Sequence, residues 1–461
     1  MAYFDELAEV VTATRAEDLP PEAVAAAQES YLDTVAVMVA GRRAPAGAVV
    51  AGAAAELGGR GRSSVVGGDG TSAATAALVN ATCAHAEDFD DATLLGFGGH
   101  TSAILVPTTL AVAEEVGAPG VEALAAYVVG YECILAIAEA MNPSHYEKGF
   151  HPTSTIGVFG AAAAAARLYG LTRAQTATAF AIAASSASGI KANFGTGTKP
   201  LHCGRAGEGG ITAAVLAGRG LTANPGAFEA RQGFRTVFDG RAADPAGDGD
   251  RGHRKPGTWQ VVTPGIGLRK AWPCCGSIHT TIEAVLQLRE EAGFTAAEVA
   301  SVECALHARR LPHTNRPDPD TGDQARFSVQ ACAAFALLDG RVDVGSFGDQ
   351  QLARPDLREL MARVSVVADP EATAGSPEMD GRDFGARVTV RLRDGRTLRR
   401  GIAQPVGSPD RQLPRSWLDS KVQDCVRGPA GELRAVVDRL PRLADLGELG
   451  GQLRSAGTEA R

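Results

Sequence analysis

The amino-acid sequence predicts a mostly α-helical protein, with a large, discontinuous all-helical domain and a smaller α+β domain. Apolar residues recur at helical spacing, in alanine-rich segments, through residues 1–267, which are expected to form the first part of the helical domain. Short alternating segments with β-branched residues begin near residue 268, so residues 268–403 are predicted to form the α+β domain. Residues 404–461 return to amphipathic helix and end in a frayed tail, which predicts that the chain re-enters the helical domain.

The helical part is indicated by its composition and by its breaks. Segments 21–40 and 161–168 are rich in alanine, the residue with the highest helix propensity. Glycine-rich stretches at 58–70 and 195–210 interrupt the helical pattern. Segment 241–255, rich in Asp, Gly and Arg, is predicted to be an exposed loop.

The smaller domain is indicated by strand patterns. Residues 301–308 and 364–367 alternate apolar and polar side chains, as strands with one buried face do. Residues 386–402 predict a hairpin, in which the Asp-Gly pair at 394–395 supplies the turn. Between the first two strands, residues 328–338 form an apolar helical run, which makes the domain α+β.

The composition argues against several classes of protein. The chain has 461 residues, of which 45% are apolar, enough for a large core in two or three domains. Its net charge of −8 is unfavourable for binding nucleic acid or for a polybasic membrane anchor. The N-terminus resembles a helix start rather than a signal peptide, and the apolar runs are too short and alanine-rich to span a bilayer. We expect a cytoplasmic protein that binds neither nucleic acid nor membrane.

Cysteine and lysine usage narrows the chemistry further. The eight cysteines contain no CxxC pair, so the spacing supports neither a disulfide framework nor a zinc or iron–sulfur site. Only six of the 45 basic residues are lysines. Because the chain otherwise uses arginine for positive charge, a lysine within a motif indicates a need for a compact cation with an adjustable pKa.

The first polar segment is His85-Ala-Glu-Asp-Phe-Asp-Asp-Ala92, followed by Gly96-Phe-Gly-Gly-His100. It places four acids, including Asp88, among five residues, which is costly if they are buried without partners. A solvated helix end is one interpretation. A magnesium site is another, because clustered carboxylates hold that ion.

Two further segments combine histidine or lysine with helix starts. His151 precedes an alanine-rich helix that Thr153 or Ser154 is expected to cap, so His151 lies just outside the positive end of the helix. Lys199 and Arg205 lie within the glycine-rich stretch at 195–210, whose backbone amides can approach an anion. The alternatives are that His151 has a structural role and that the segment with Lys199 is a flexible loop between helices. The segment that contains Lys199 lacks the pattern of a nucleotide-binding P-loop.

The last two segments lie in the predicted α+β domain. In Arg269-Lys-Ala-Trp-Pro-Cys-Cys-Gly-Ser-Ile-His279, the adjacent cysteines cannot easily chelate one metal, and we interpret them as packing residues. Lys270 and His279 are then the residues available for chemistry. Segment 323–328, which contains Arg326, is interpreted by itself as a helix start.

Taken together, the motifs HAEDFDD, GFHPT, TKPLHCGRA, KAWPCCGSIH and ARFS, in this order, resemble those of the MmgE/PrpD family. The resemblance covers residues 1 to about 445. That family includes 2-methylcitrate dehydratase, cis-aconitate decarboxylase and an iminodisuccinate epimerase. The resemblance implies a large helical domain, a smaller α+β lid with the active site between the two, a homodimer, and catalysis without a cofactor or metal. It implies the site residues Asp88, His100, His151, Lys199, Lys270 and His279.

The residues at these positions suit a polycarboxylate substrate. Carboxylates need cations to hold them, and this sequence offers Lys199, Lys270, Arg205 and Arg326. Removing a proton beside a carboxylate requires a base, an acid and stabilised negative charge. The candidates for acid and base are Asp88, His100 and His151.

Four positions depart from the usual family pattern: Ala92, Thr101, Gly197 and Arg326. The changes preserve the charged positions but alter the expected shape of the pocket, and therefore bear on the substrate rather than on the chemistry. The sequence favours a cofactor-independent lyase, with dehydration of a 2-methylcitrate-like acid first.

Decarboxylation or epimerisation of a related acid, such as cis-aconitate or iminodisuccinate, is the alternative within the family. A catalytically inactive relative that binds carboxylates is a further alternative. A helical terpenoid synthase, with magnesium held by the acids of residues 88–91, is disfavoured because the sequence lacks a second metal motif.

Overall fold

The protein is mostly helical and contains one small four-stranded sheet, as predicted. The structure is a computed structural model, and the loop expected at 241–255 lies outside the residues it describes. The described residues are 2–93, 96–239, 258–371, 384–428 and 430–456.

The N-terminal half consists of helices. They are α1 Tyr3–Ala13, α2 Pro21–Arg42, α3 Pro45–Gly52, α4 Ala54–Gly58, α5 Ala73–Ala86, α6 Ser102–Val116, α7 Gly120–Met141, α8 Ser144–Glu147, α9 Pro152–Thr155, α10 Gly157–Leu168, α11 Arg173–Ser186, α12 Thr198–Gly218 and α13 Phe234–Asp239.

Helix α12 packs between α5 and α10, and small residues allow the close approach. A Cβ added at Gly204 would lie 2.3 Å from the carbonyl oxygen of Leu78 on α5. One added at Gly210 would lie 2.5 Å from the backbone nitrogen of Ala162 on α10. This packing explains the low aromatic content, and it brings the start of α12 beside the end of α5.

The small sheet has the strand order β2-β1-β3-β4, with β1 and β2 parallel and the other pairs antiparallel. The predicted hairpin is confirmed, with Gly395 at φ 92° in its turn. The strands are β1 Val299–Leu306, β2 Val364–Ala368, β3 Ala386–Leu392 and β4 Thr397–Ile402. The helices of this region are α14 His279–Ala292, α15 Leu311–Thr314, α16 Gly322–Ala325, α17 Val329–Asp339, α18 Asp349–Leu352 and α19 Pro355–Met361.

Among the described residues after the sheet, the α-helices are α20 Arg415–Val426, α21 Ala430–Asp438 and α22 Gly447–Ser455. Their buried side chains belong to the same apolar core as those of the N-terminal half, which takes in residues 3–266 and 418–453. A second apolar core contains residues 274–392 of the sheet and its helices. The domain boundaries at 267 and 403 stay a prediction.

Helix α7 is the single helix among the described residues that has the length and apolar composition to cross a membrane by itself. Within its most apolar window, 89% of the residues are buried inside the protein. Helices α2 and α3 satisfy the same criterion only as a pair, and they are bent by 83°. Such burial is what the central helix of a helical core requires.

Candidate functional site

Asp88 lies in a left-handed turn directly after α5. Its φ is +48°, and its backbone nitrogen donates to the carbonyl oxygen of His85, 3.0 Å away. Aspartate tolerates this conformation better than most residues with a side chain. The turn ends the helix and directs the Asp88 carboxylate into the interior, where the residue is 4% exposed.

Two buried lysines meet on the Asp88 carboxylate. Lys199 Nζ, at the start of α12, lies 2.8 Å from Asp88 Oδ1, and Lys270 Nζ lies 3.0 Å from the same oxygen. Lys270 also donates to the Asp88 carbonyl oxygen at 2.6 Å. Burial alone would raise the pKa of Asp88, but the two ammonium groups hold that pKa well below its usual value.

His85 connects Lys199 to a second carboxylate. Its Nδ1 lies 2.8 Å from Asp90 Oδ1, and its Nε2 lies 2.5 Å from Lys199 Nζ. Because the Asp90 carboxylate can only accept, Nδ1 carries the proton, and the bare Nε2 accepts from Lys199. Burial lowers the pKa of His85 to about 3, so the ring is neutral at pH 7.

His100 packs against His85. Its ring centre is 4.2 Å from that of His85, and its Nδ1 is 3.0 Å from the Asp91 carbonyl oxygen and 2.9 Å from Asp90 Oδ2. Burial would raise the pKa of Asp90, whereas His85 and His100 hold it well below the usual value. We call the residues Asp88, Lys199, Lys270, His85, Asp90 and His100 the front cluster.

His151 borders the front cluster from the end of a short loop. Its Nδ1 lies 2.9 Å from the Nδ1 of His202, one turn after Lys199 on α12. Burial, followed by the charge of Lys199, lowers the pKa of His151 well below its usual value. The predicted cap of the alanine-rich helix by Thr153 or Ser154 is wrong, because both residues lie within α9 and the alanine-rich α10 begins after Ile156 without a side-chain cap. Thr153 Oγ1 instead accepts from the backbone nitrogen of His100, at 3.2 Å.

A pocket opens onto the front cluster. Asp88, His100, His151, Lys199 and Lys270 line it, which is five of the six positions implied by the sequence resemblance. Its other lining residues are Ala92, Gly98, Gly99, Pro143, Tyr146, Glu147, Phe194, Cys275, Gly276, Ser277, Arg309, Arg310, His313, Phe327 and Phe384.

Three residues predicted to bind substrate, Arg205, Arg326 and His279, do not line the pocket among the described residues. The Arg205 side chain is 58% exposed and pairs with Glu208 one turn away on α12, so its expected place in the pocket is wrong. Arg326 pairs with Glu87, is 7% exposed and donates to the Pro273 carbonyl oxygen at 3.1 Å, behind the pocket wall. The two guanidinium groups thus pair with Glu208 and Glu87 rather than facing the pocket.

His279 is fully buried at the start of α14 and is absent from the lining among the described residues. Its Nε2 donates to the Cys274 carbonyl oxygen at 3.4 Å, and burial lowers its pKa to about 3. Cys274 is buried, as expected of a packing residue, but Cys275 lines the pocket. The prediction that both cysteines only pack is therefore wrong for Cys275.

Sequence reasoning missed four residues that the structure brings to the site. His85 stands three residues before Asp88 at the end of α5, and that helical spacing was a usable signal. Asp90 lies in the same HAEDFDD segment. Arg310 and His313 come from residues 308–314, where the sequence contains no motif that points to a pocket.

The donor atoms of His85, Asp88, Asp90 and His100 lie within 4.8 Å of one another and are of the types that hold metal ions. Two ammonium groups nevertheless contact Asp88, and one of them also contacts His85 Nε2. Their charge opposes a divalent cation at the same atoms. The donor set fits a lysine-neutralised cluster better than a metal centre.

Comparison with known proteins identifies the family of this chain. The MmgE/PrpD N-terminal domain matches residues 5–245, and the MmgE/PrpD C-terminal domain matches residues 272–439. A cis-aconitate decarboxylase from Mus musculus is 30% identical over 70% of this chain, and the alignment spans 65% of the mouse protein's length.

Two more distant relatives were also found. A cis-aconitate decarboxylase from Aspergillus terreus is 26% identical over 94% of this chain and 92% of its own length. A 2-methylcitrate dehydratase from Cupriavidus necator is 27% identical over 54% of this chain and 52% of its own length. With both domains of the family matched across most of its length, this chain belongs to the MmgE/PrpD family.

Proposed function

We propose that this protein is a lyase that acts on a small polycarboxylate by proton transfer between side chains, without a metal or an organic cofactor. The charge of the pocket carries the proposal. Four cationic residues line it, namely Lys199, Lys270, Arg309 and Arg310, against the two carboxylates of Asp88 and Glu147. A pocket with excess positive charge favours a ligand with two or more carboxylates.

Lys199 is the residue best placed to act on the ligand's charge. Two of its three N–H groups are directed at His85 Nε2 and Asp88 Oδ1, and the third remains for a ligand in the pocket that Lys199 lines. Because the ammonium group is held in position before the ligand arrives, it stabilises negative charge with little reorganisation. Asp88 and His85 thus hold Lys199 in place.

His151 is our candidate for the base. Its ring lines the pocket and its lowered pKa keeps it neutral at pH 7. With Nδ1 directed at His202, Nε2 is the nitrogen available to a substrate. A neutral imidazole beside a fixed ammonium group supplies a base and an acid in one pocket, as removal of a proton next to a carboxylate requires.

The same groups serve two reactions. In dehydration, His151 takes a proton from the carbon beside a carboxylate, and the hydroxyl group leaves as water with a proton from Lys199 or His100. In decarboxylation, carbon dioxide leaves and a substrate carbon takes up a proton from one of these groups. The sequence motifs led us to expect dehydration of a 2-methylcitrate-like acid. The relatives aligned over more than nine-tenths of this chain are named for decarboxylation of cis-aconitate, which is our second candidate.

The test is an NMR time course in D2O with EDTA-treated protein and 2-methylcitrate, citrate, cis-aconitate and iminodisuccinate as separate substrates. Loss of water from a hydroxy acid supports dehydration, and release of carbon dioxide from cis-aconitate supports decarboxylation. Deuterium uptake without net conversion supports epimerisation. No exchange or turnover of any of these acids overturns the proposal for this group of substrates. Turnover only after a divalent metal is restored overturns its metal-free part.

A homodimer in the cytoplasm, with neither nucleic acid nor membrane as partner, completes the proposal. Size-exclusion chromatography with light scattering tests the dimer directly: a single species with twice the chain mass of 47.4 kDa supports it, and a monomer contradicts it.

A further inference from the structure

We propose that His202 is a proton-relay residue that sets the protonation of His151 and carries its proton away from the pocket. The proposal rests on the proposed function, since it concerns the base of that reaction. His202 belongs to the TKPLHCGRA motif but does not line the pocket among the described residues, so the mechanism above leaves it without a task.

The geometry of the two rings requires a shared proton. The two Nδ1 atoms lie 2.9 Å apart, with the ring planes at 54°. Two bare nitrogens at this distance would repel each other, and two protonated nitrogens would clash, so one ring donates and the other accepts. The tautomer of His151 is therefore fixed by that of His202.

The surrounding charges decide the direction. The charge of Lys199 lowers the pKa of both rings, whereas His151 also lies near His100. Burial, followed by the charge of Lys199, lowers the pKa of His202 to about 4 and holds the pKa of His151 well below its usual value. His202 is 6% exposed and His151 is 2% exposed, so a positive charge on His202 costs less desolvation and His202 is the better proton acceptor. His151 then carries its proton on Nδ1 and presents a bare Nε2 to the substrate.

The relay balances without any additional reactant. When His151 Nε2 takes a proton from the substrate carbon, the Nδ1 proton of His151 passes to His202 Nδ1. The positive charge moves from the ring beside the front cluster to His202, which is 6% exposed, and its Nε2 proton can pass to water. The reverse sequence brings a proton from water to the substrate carbon, as decarboxylation requires.

A tautomer measurement tests the pair without any substrate. In ¹⁵N-labelled protein, with His202→Asn used for assignment, we expect the ¹⁵N shifts of His151 to show a protonated Nδ1 and a bare Nε2. His202 is expected to show the opposite pattern. A protonated Nε2 on His151 would overturn the proposed direction of transfer, and two rings without a shared proton would overturn the pairing.

A second test measures the relay itself. Asparagine at 202 places an amide near the position of Nδ1 and keeps a hydrogen bond, but it cannot carry a proton onward. We expect His202→Asn to lower substrate deuterium exchange or turnover by at least tenfold. The matched control is His145→Asn, because His145 is fully buried and bonds Thr155 Oγ1 at 2.6 Å, outside the pocket.

Chemical rescue separates a relay from simple packing. In His202→Ala, imidazole and thiazole both fill the space left by the ring, but thiazole has no N–H to pass on. Rescue by imidazole alone supports the relay, whereas equal rescue by both, or wild-type rates in His202→Asn, overturns it. If the wild-type protein turns over none of the acids, the proposed function fails, and the tautomer measurement still judges the pairing.

Discussion

Two buried ionic groups contact the same turn, residues 88–91, and only one of them borders the pocket. The front cluster surrounds Asp88 and borders the pocket. In the second group, Lys421 on α20 lies 2.6 Å from Asp33 Oδ1 and donates to the Phe89 carbonyl oxygen at 2.6 Å. We call Asp33, Lys421, Arg269 and Glu29 the back cluster; Arg269 pairs with Glu29 at 2.9 Å.

The two lysines, Lys421 and Lys199, differ in whether their ammonium groups remain available to a ligand. Lys421 is 2% exposed and lies within reach of a carboxylate, a carbonyl group and the rings of Phe89 and Trp417, so its charge is satisfied inside the protein. Lys199 is 4% exposed but lines a pocket and shares Asp88 with Lys270. Both lysines are buried, and only one is placed to meet a ligand.

The largest effect should follow from breaking the front cluster. We expect Lys199→Met to lower turnover by about 10³-fold or more, since a fixed charge that stabilises the transition state is lost. The variant should stay folded, because Lys270 still neutralises Asp88. Turnover assays with Lys148→Met, an exposed lysine, provide the control. A loss below tenfold would contradict the role given to Lys199.

The back cluster should respond in stability instead. Lys421→Met leaves Asp33 buried and unpaired, and we expect it to lower the free energy of unfolding by about 3–5 kcal/mol. Adding Asp33→Leu should recover much of that loss, since the unpaired charge is removed. Urea unfolding of the two single variants and the double variant measures the coupling, and additive losses would contradict the pairing.

The two clusters were not equally predictable from the sequence. Asp88, Lys199, Lys270, His100 and His151 came from motifs, and the helical class, the hairpin and its turn came from periodicity and turn chemistry. Long-range packing decided the rest. The sequence does not indicate that Lys421 crosses the fold to Asp33, 388 positions earlier, or that residues 308–314 supply a pocket wall.

The error at Arg205 has a specific cause. A positive charge within a glycine-rich stretch predicts an anion site, but helical spacing directs Arg205 to Glu208 on the exposed side of α12. Lys199, six residues earlier, faces α5. Helical phase, rather than charge alone, separates the two residues.

A smaller effect, on the pH dependence of stability in acid, is expected for the front cluster. The pKa of Asp88 is lowered in the folded protein, so its contribution to stability is present above the unfolded value of about 4 and is lost as pH falls below it. We expect Asp88→Asn to flatten the acid limb of a plot of unfolding free energy against pH. An unchanged slope would contradict the strong pairing of Asp88 with its lysines.

The last effect concerns Asp91, in the same turn, which accepts a hydrogen bond from the Ser102 hydroxyl. Burial raises its pKa to about 7, opposite in sign to the shift of Asp88. Ionising Asp91 therefore costs stability as pH rises from the unfolded value of about 4 through about 7. Asp91→Asn should remove this decline, seen by thermal unfolding at several pH values. An identical decline in the variant would assign it to another group.

The central claim is that the lysines of the front cluster hold a polycarboxylate without a metal. Calorimetric titration with tricarballylate in the presence of EDTA tests this claim most directly. This tricarboxylate has neither a hydroxyl group nor a double bond, so binding is measured apart from turnover. We predict binding to the wild-type protein and, under conditions where it is folded, to Lys421→Met, with at least a tenfold weaker affinity for Lys199→Met. Equal affinity in all three proteins, or binding that appears only when a divalent metal is added, would contradict the account.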